Sequence, residues 1–461
     1  MAALLGAKLA VARGAGALSR LGGSGATSLP GRVLMRLQPD ALQTLGGRLA
    51  EGSAVVSATN GKTTTAAMAA EILRAHGVSL VHNAAGANMA GGVATTLLDA
   101  ARPGGGIDGT LGLFEVDELW VARVARALHP KAILLGNLFR DQLDRYGELE
   151  AIADSWREVL LASDARAVLN ADDPLLADLG RERPGVLYFG VQDDTLALSG
   201  MAHAADAKHC RNCGAPYIFD AVYLGHLGRY HCPSCGRSRP RPDVVASDVS
   251  LQGVRSASFT LTTPEGSAPV ELALPGLYNV YNALAAAALT SSLDVPLATI
   301  AAALAATRPA FGRAETVSVS SAAGPREMRI LLVKNPAGAN EVLRTLALEP
   351  GEHRLLGVLN DQIADGRDVS WIWDADFEQL AGRLAGVVCA GTRAADLAAR
   401  LKYAGVEESK IELVPHLDAA LARAAEETPA GSPLYALPTY TAMLALRKML
   451  SERGEVASRF S

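Results

Sequence analysis

The chain has 461 residues, of which 49% are hydrophobic and 20% charged, and its net charge is −5. This length predicts two or three domains, and the slightly acidic balance excludes the global basic field that favours nucleic acids. No apolar run reaches the roughly 18–20 residues that span a bilayer. We find no convincing secretory signal, so we expect a reducing cytoplasm, where paired cysteines indicate metal binding rather than disulfides.

The first 36 residues are basic and rich in Ala, Gly, Ser and Leu, and Asp40 is the first acidic residue. This composition also describes a mitochondrial transit peptide. We favour instead one or two amphipathic helices that lead through a Pro30-Gly31 turn into the first domain.

Further along, apolar runs of strand length alternate with helical patterns, which predicts parallel sheets. We expect a helical lead-in at residues 1–50, a central domain at 51–315 with a Cys-rich insertion at 203–240, and a C-terminal domain at 316–461. The boundary is placed at 314–326, where Ser, Ala, Gly and Pro cluster. The predicted strands are Ala54–Ala58, Leu111–Val116, Ala132–Leu135, Ala167–Leu169, Ala257–Thr263, Val270–Leu274, Ile330–Val333, Leu355–Leu359, Val387–Ala390, Ile411–Val414 and Leu434–Ala436.

A candidate phosphate loop follows the first strand and opens a helix at residues 57–65. A helix N-terminus offers unpaired N–H groups and a positive dipole end, which suit phosphate. In this interpretation Gly61 lets the backbone approach ATP, Lys62 reaches its β- and γ-phosphates, and Thr63 ligates Mg²⁺. Val56 stands where the first Gly of the usual motif belongs, so an ordinary strand-to-helix turn with a solvated Lys is the alternative.

Acidic residues follow the strand that ends near Val116. Ligands of open α/β sheets bind at the carboxyl ends of strands, which places Glu115 to hold Mg²⁺. A solvated acidic loop is the alternative. The stretch Asn137–Asp144 follows the next strand and adds oxygen ligands.

The insertion carries two Cys-x-x-Cys pairs separated by 18 residues. Two such pairs form a closed thiolate site that suits structural Zn²⁺, which predicts a ribbon held by Cys210, Cys213, Cys232 and Cys235. His209 and His231 adjoin the pairs and are competing ligands. Cys389 ends an apolar strand pattern and is interpreted as a buried small hydrophobe rather than a nucleophile.

Several segments, in this order, resemble the Mur ligase superfamily. They are Thr59–Thr63, Glu115, Asn137–Asp144 with Gln142 in place of the family's His, Asn170–Asp173, Pro275–Asn282 and Gly312–Glu315. The resemblance implies a central P-loop ATPase domain and a C-terminal Rossmann-like α/β domain. It implies nucleotide binding by Thr59, Asn60, Gly61, Lys62, Thr63, Thr64, Asn279, Asn282 and Arg313. The family's carbamoylated Lys falls near Trp156, where no Lys occurs, so its second metal site is in doubt here.

More narrowly, the chain resembles the MurT family, the ligase-like subunit of lipid II isoglutaminyl synthase. The phosphate loop begins without a preceding UDP-sugar domain, the four cysteines interrupt the central domain, and Lys334–Glu341 and Asn360–Asp374 match the family's C-terminal motifs. The resemblance implies amidation of the D-Glu α-carboxylate in lipid II through an acyl phosphate. Ammonia would come from a GatD-like glutaminase partner, at the inner face of the cell membrane.

For that family an Asp of the C-terminal motif orients the partner's catalytic His, which by resemblance is Asp368, with Asp365 as second choice. A solvated loop is the alternative, and Trp371 and Trp373 are either core residues or partner anchors. Two other functions stay open. One is a stand-alone amino-acid ligase of the folylpolyglutamate type, and the other is a non-enzymatic ATP switch whose ribbon binds nucleic acid or protein through its arginines.

Overall fold

The computed structural model describes residues 2–21, 27–83, 87–103, 106–141, 149–200, 205–308, 313–322 and 324–456. Two β-sheets flanked by helices, and one separate hairpin, organise these residues. In the described ranges, no helix combines the length and the apolar character needed to cross a membrane.

The strands are β1 (Ser53–Ser57), β2 (Leu80–His82), β3 (Leu111–Glu115), β4 (Ala132–Leu135), β5 (Arg166–Asn170), β6 (Leu187–Val191), β7 (Ile218–Leu224), β8 (Leu227–His231), β9 (Val244–Gln252), β10 (Ser256–Thr263), β11 (Gly266–Leu272), β12 (Arg313–Val319), β13 (Arg326–Leu331), β14 (His353–Val358), β15 (Leu384–Ala390), β16 (Ile411–Leu413) and β17 (Leu434–Pro438). The helices are α1 (Ala2–Leu21), α2 (Leu29–Leu37), α3 (Ala41–Gly46), α4 (Lys62–Ala75), α5 (Ala90–Ala100), α6 (Val121–Leu128), α7 (Leu149–Leu161), α8 (Pro174–Leu179), α9 (Leu277–Ser291), α10 (Leu297–Ala306), α11 (Pro336–Ala347), α12 (Glu378–Ala381), α13 (Ala394–Tyr403), α14 (Leu417–Glu427) and α15 (Tyr440–Glu452).

The larger sheet has the order β11-β10-β9-β6-β5-β4-β1-β3-β2. Its strand β1 lies between β3 and β4, parallel to both, and is buried along its whole length. An all-buried parallel strand requires cover on both faces, which the flanking helices give. The carboxyl ends of β1, β3 and β4 therefore share one edge of the sheet, and β10 and β11 form an antiparallel pair at its far side.

The smaller sheet has the order β12-β13-β17-β14-β15-β16, and β12 is its antiparallel edge strand. The predicted domain boundary at 314–326 overlaps this strand, which ends at Val319. Val317 and Val319 are both buried, two positions apart on one face, while the intervening Ser318 is exposed. This period of two is a strand pattern that the small polar residues around it concealed.

The N-terminal segment is helical, as expected, but the predicted Pro30-Gly31 turn is wrong. Pro30 and Gly31 lie in the first turn of α2, where proline needs no N–H partner and is tolerated. Gly31 packs directly on α5, because a Cβ there would lie 1.9 Å from the carbonyl oxygen of Gly91. Close helix contact, rather than a turn, explains this glycine.

Candidate active site and thiolate centre

The predicted phosphate loop connects β1 to α4, with Gly61 as the residue preceding the helix. Gly61 has φ +80°, which favours glycine, and an added Cβ would lie 1.9 Å from Oδ1 of Asn282. The first N–H groups of α4 are thus presented at the sheet edge. The local structure is the one expected for a phosphate-binding turn.

Lys62 forms a buried ion pair with Glu118, whose Oε2 lies 2.8 Å from the lysine Nζ. Burial by itself would lower the pKa of Lys62, but the charge and hydrogen bond of Glu118, with the charges of Glu115 and Asp117, outweigh it and raise that pKa. Burial likewise opposes ionisation of Glu118, yet the charges of Lys62 and Lys334 lower its pKa. Both groups are therefore charged at neutral pH.

Thr63 and Glu115 meet across the gap between α4 and β3. The Thr63 hydroxyl donates to Oε1 of Glu115 over 3.0 Å, and the side-chain amide of Asn88 donates to the same oxygen over 3.4 Å. Asn83 fixes the strand end, since its Oδ1 accepts from the Glu115 N–H and its amide donates to the Glu115 carbonyl. This oxygen cluster fits a hard cation such as Mg²⁺.

The loop backbone is braced by the segment that follows β4. The Asn60 N–H donates to Oδ1 of Asn137 over 2.8 Å, and the Asn137 amide returns a bond to the Asn60 carbonyl. The Thr59 hydroxyl exchanges hydrogen bonds with the carbonyl and N–H of Phe139. The loop is therefore held in shape by the side chain of Thr59 and by the backbone of Asn60.

Residues from the unit built on the smaller sheet (the smaller-sheet unit) also lie at this edge of the larger sheet, beside the phosphate loop. Asn335 and Asn60 form a reciprocal side-chain amide pair, at 2.9 and 3.3 Å. Lys334 places its Nζ 3.1 Å from the Thr59 carbonyl and 2.5 Å from Oδ2 of Asp141. A second ammonium group thus stands beside the phosphate loop, from a segment about 270 residues further along the chain.

The remaining residues assigned to nucleotide binding divide into two groups. Asn279 and Asn282 are buried behind the loop, where the Asn282 amide donates to Asn279 and its Oδ1 accepts from Thr65. They support the loop from α9. Thr64 lies half-buried in the first turn of α4, and Arg313 begins β12, with its side chain outside the described residues. Gln142, Leu143 and Asp144, the last three residues of the segment Asn137–Asp144, also lie outside the described residues.

Trp156 occupies the region where the resemblance places a carbamoylated lysine. Its ring is buried, and its Nε1–H donates to the backbone carbonyl of Glu118 over 3.0 Å. The indole therefore positions the residue that pairs with Lys62.

The four predicted thiolates converge. The sulfur atoms of Cys210, Cys213, Cys232 and Cys235 all lie within 4.8 Å of one another. Two of the separations are 3.4 and 3.6 Å, close to the roughly 3.8 Å edge of a tetrahedron with metal–sulfur distances of about 2.3 Å. The cluster can hold a metal ion.

Both Cys-x-x-Cys pairs form the same type of turn. Gly214 and Gly236 follow the second cysteine of each pair with φ near +75°, and each N–H donates to the carbonyl of the first cysteine. His231 lies instead 3.3 Å from Asp220, and neither it nor His209 belongs to the converging group. The ligand set in the described residues is therefore the four cysteines.

Four arginines of the ribbon region are paired with carboxylates of this chain. The pairs are Arg211–Asp154, Arg229–Asp194, Arg237–Asp178 and Arg239–Asp172. Asp172 is fully buried and also accepts from the Tyr281 hydroxyl over 2.7 Å, and burial raises its pKa against these partners. The arginines attach the ribbon to the larger sheet rather than present charge to a nucleic acid.

The two candidate aspartates of the C-terminal motif differ in their surroundings. Asp365 is 4% exposed and accepts from the N–H and hydroxyl of Thr441 at the start of α15. Asp368 is exposed, and hydrogen bonds from Ser370 hold its pKa below the ordinary value. Of the two, Asp368 is accessible to another molecule.

The tryptophans of this motif also separate. Trp371 is half-buried against the core, whereas Trp373 is 51% exposed and lies against Tyr403, with ring centroids 5.6 Å apart.

Cys389 is fully buried on β15, and burial raises its pKa to about 12. The thiol is therefore protonated, as expected for a packing residue.

Sequence reasoning missed three residues of the site. The sequence pattern indicates acidic residues after β3 but does not select Glu118 as the partner of Lys62, and it gives no signal for Asn88. Lys334 belongs to the segment Lys334–Glu341, but the pattern does not indicate that it lies beside the phosphate loop. The acidic residues at the end of β3 and directly after it were the available signal for Glu118, but only the packing of α4 against β3 selects it.

These elements define a Mur ligase-type protein. Residues 56–221 match the Mur ligase middle domain and residues 332–443 match the MurT ligase C-terminal domain. A pseudomurein peptide ligase type C from Methanothermus fervidus has the same fold, with a TM-score of 0.66, 21% identity and coverage of 88% of this chain and 79% of that one.

The chain belongs to the MurT family. It is 34% identical over 442 residues to the lipid II isoglutaminyl synthase (glutamine-hydrolyzing) subunit MurT of Streptococcus pneumoniae. The alignment covers 95% of this chain and 94% of that protein. It is 31% identical to the protein of the same description from Staphylococcus aureus strain N315, covering 95% of each. The predicted family resemblance is confirmed.

Proposed function

We propose that this chain is the amidating subunit of a lipid II isoglutaminyl synthase. It would convert the α-carboxylate of D-Glu in the lipid II stem peptide to the amide of D-isoglutamine, at the expense of ATP. The observation that carries this proposal is the match to curated MurT subunits along 95% of the chain. Lipid II would bring the protein to the inner face of the cell membrane.

The chemistry fits the residues at the sheet edge. A carboxylate oxygen of the acceptor attacks the γ-phosphorus of ATP, ADP leaves, and ammonia then displaces phosphate from the acyl phosphate. The loop from Thr59 to Thr64 would hold the phosphates, with Lys62 exchanging Glu118 for a phosphate oxygen. Mg²⁺ bound by Thr63 and Glu115 would neutralise charge on the transferred phosphoryl group.

The four-cysteine cluster is proposed to bind Zn²⁺ with a structural role, because four thiolates leave no open position for water. Its ion would hold the hairpin β7–β8 in place. Metal content measured on the purified protein tests this, with about one zinc per chain expected.

Ammonia is proposed to come from a GatD-like glutaminase. Asp368 is exposed, and Trp373 and Tyr403 form an exposed aromatic pair on the same unit, which suits a protein contact. A carboxylate from this chain would orient the partner's catalytic imidazole and stabilise its charged form. Asp365, by contrast, is buried and accepts a hydrogen bond from the Thr441 N–H at the start of α15.

The test is co-expression with a candidate glutaminase, followed by mass analysis of lipid II incubated with ATP and glutamine. We expect an amide product, and a loss of at least about 100-fold in Lys62→Ala but not in the exposed control Lys448→Ala. Absence of product with the complete complex would refute the proposal. Amino-acid-dependent ATP hydrolysis without a glutaminase would favour the stand-alone ligase.

Asp368 is tested separately. Asp368→Asn should abolish glutamine-dependent amidation and leave ammonium-dependent amidation intact, whereas the exposed neighbour Asp374→Asn should change neither. Full glutaminase activity in the Asp368 variant would contradict this assignment.

A further inference from the structure

A cleft lies between the tip of the β7–β8 hairpin of the ribbon and helix α11, beside the phosphate loop. Its lining includes Phe139, Arg140, His226, Glu341, Arg344 and Asp376. Pro336 and Ala337 also line it, and they directly follow Asn335, which pairs with Asn60 of the loop. The cleft therefore adjoins the edge where the acyl phosphate would form.

His226 is contributed by the hairpin turn and is completely buried. Among the described residues, neither of its ring nitrogens has a hydrogen-bond partner of acceptable geometry. The nearest carboxylate oxygen, of Asp173, lies 3.4 Å from Nε2 but already accepts from the Leu138 N–H. Buried polar groups are normally satisfied, so this imidazole has capacity for a ligand.

Glu341 approaches from the opposite wall, on α11, and is 5% exposed. Burial raises its pKa to about 7, although the charge of Arg344 acts in the other direction. The Arg344 guanidinium offsets the charge of the Glu341 carboxylate only weakly. It lies 3.9 Å from that carboxylate and donates its hydrogen bonds to the carbonyls of Tyr223 and Leu196 instead. A carboxyl group with this pKa exchanges protons readily near neutral pH.

The charge of the cleft selects against an anionic occupant. Arg140 is neutralised by its ion pair with Asp206, and Arg344 is engaged with backbone carbonyls. Glu341 and Asp376 add acidic side chains, and the centroids of the Phe139 and His226 rings lie 4.6 Å apart, with the rings tilted by 51°. A small cation or a neutral hydrogen-bonding molecule fits these walls, whereas a peptide carboxylate does not.

We propose that this cleft binds the ammonia used in amidation, with Glu341 and His226 as its ligands. This inference rests on the proposed function. Ammonium entering the cleft gives one proton to the Glu341 carboxylate, which becomes the neutral acid. The ammonia that remains hydrogen-bonds to His226 and keeps its lone pair for attack on the acyl carbon.

The experiment uses the complex of this chain with its glutaminase, supplied with ammonium chloride in place of glutamine. In Glu341→Gln and His226→Ala the KM for ammonium should rise at least about tenfold, while the KM values for ATP and lipid II stay within about twofold. Glu352→Gln, an exposed carboxylate on the same unit, is the control and should match the unchanged protein.

Formation of the acyl phosphate is measured in parallel, without ammonium, by borohydride trapping, and should be unchanged in both variants. An unaltered KM for ammonium, or a rise confined to the KM for lipid II, would overturn the cleft assignment while amidation itself stands. If the unchanged complex forms neither acyl phosphate nor amide, the proposed function fails, and this inference fails with it.

Discussion

Replacing Glu341 by Gln should stabilise the protein in a pH-dependent manner. The Glu341 side chain is buried and its pKa is about 7, against an ordinary value of 4.5. The folded chain therefore holds a proton on Glu341 between these values that the unfolded chain has lost. One pKa unit corresponds to about 1.4 kcal/mol, so ionised Glu341 costs about 3 kcal/mol above pH 7. The cost is absent below pH 4.5 and grows as the pH rises through this window.

Chemical unfolding at pH 5 and at pH 8, followed by circular dichroism, tests this prediction. Glu341→Gln should resemble the unchanged protein at pH 5, because neutral glutamic acid and glutamine are similar in size and polarity. At pH 8 it should be about 3 kcal/mol more stable. Glu352→Gln, which alters an exposed carboxylate, should give less than about 0.5 kcal/mol at either pH. An equal effect of Glu341→Gln at both pH values would refute the reasoning from burial.

Three further outcomes are expected. Gly61→Ala should weaken ATP binding at least about tenfold and cost about 1–2 kcal/mol of stability, measured by titration calorimetry and thermal unfolding, because its Cβ would collide with Asn282 at a positive φ. Asp365→Asn should lower stability by about 1–2 kcal/mol through loss of its hydrogen bonds at the start of α15, while Asp368→Asn leaves unfolding unchanged; equal unfolding curves would contradict the structural assignment of Asp365. Cys213→Ser should lower bound zinc, measured by elemental analysis, and reduce the melting temperature; a metal content equal to that of the unchanged protein would count against the thiolate site.

Many of the local elements of this protein can be predicted from its sequence alone. Alternation of apolar runs with helical patterns was sufficient to find β1, β3 and β4 within a residue or two, because buried parallel strands are nearly continuous hydrophobic runs. The Cys-x-x-Cys spacing was sufficient to predict the thiolate cluster, since each ligand pair belongs to one short turn. Short or polar strands such as β2, β9 and β12 were missed, because their apolar pattern is too brief or is interrupted.

The contacts between distant residues at the site, in contrast, follow from the packing of the sheets and helices. Parallel pairing of β1 with β3 brings Glu118 to Lys62, and the approach of the smaller-sheet unit brings Lys334 to Asp141. The same packing buries Asp365 and leaves Asp368 exposed, although both follow β14 in one polar stretch. Local composition reports the preference of a segment for helix, strand or turn. Burial and pairing depend on which segments pack together, and that contact information is not periodic in the sequence.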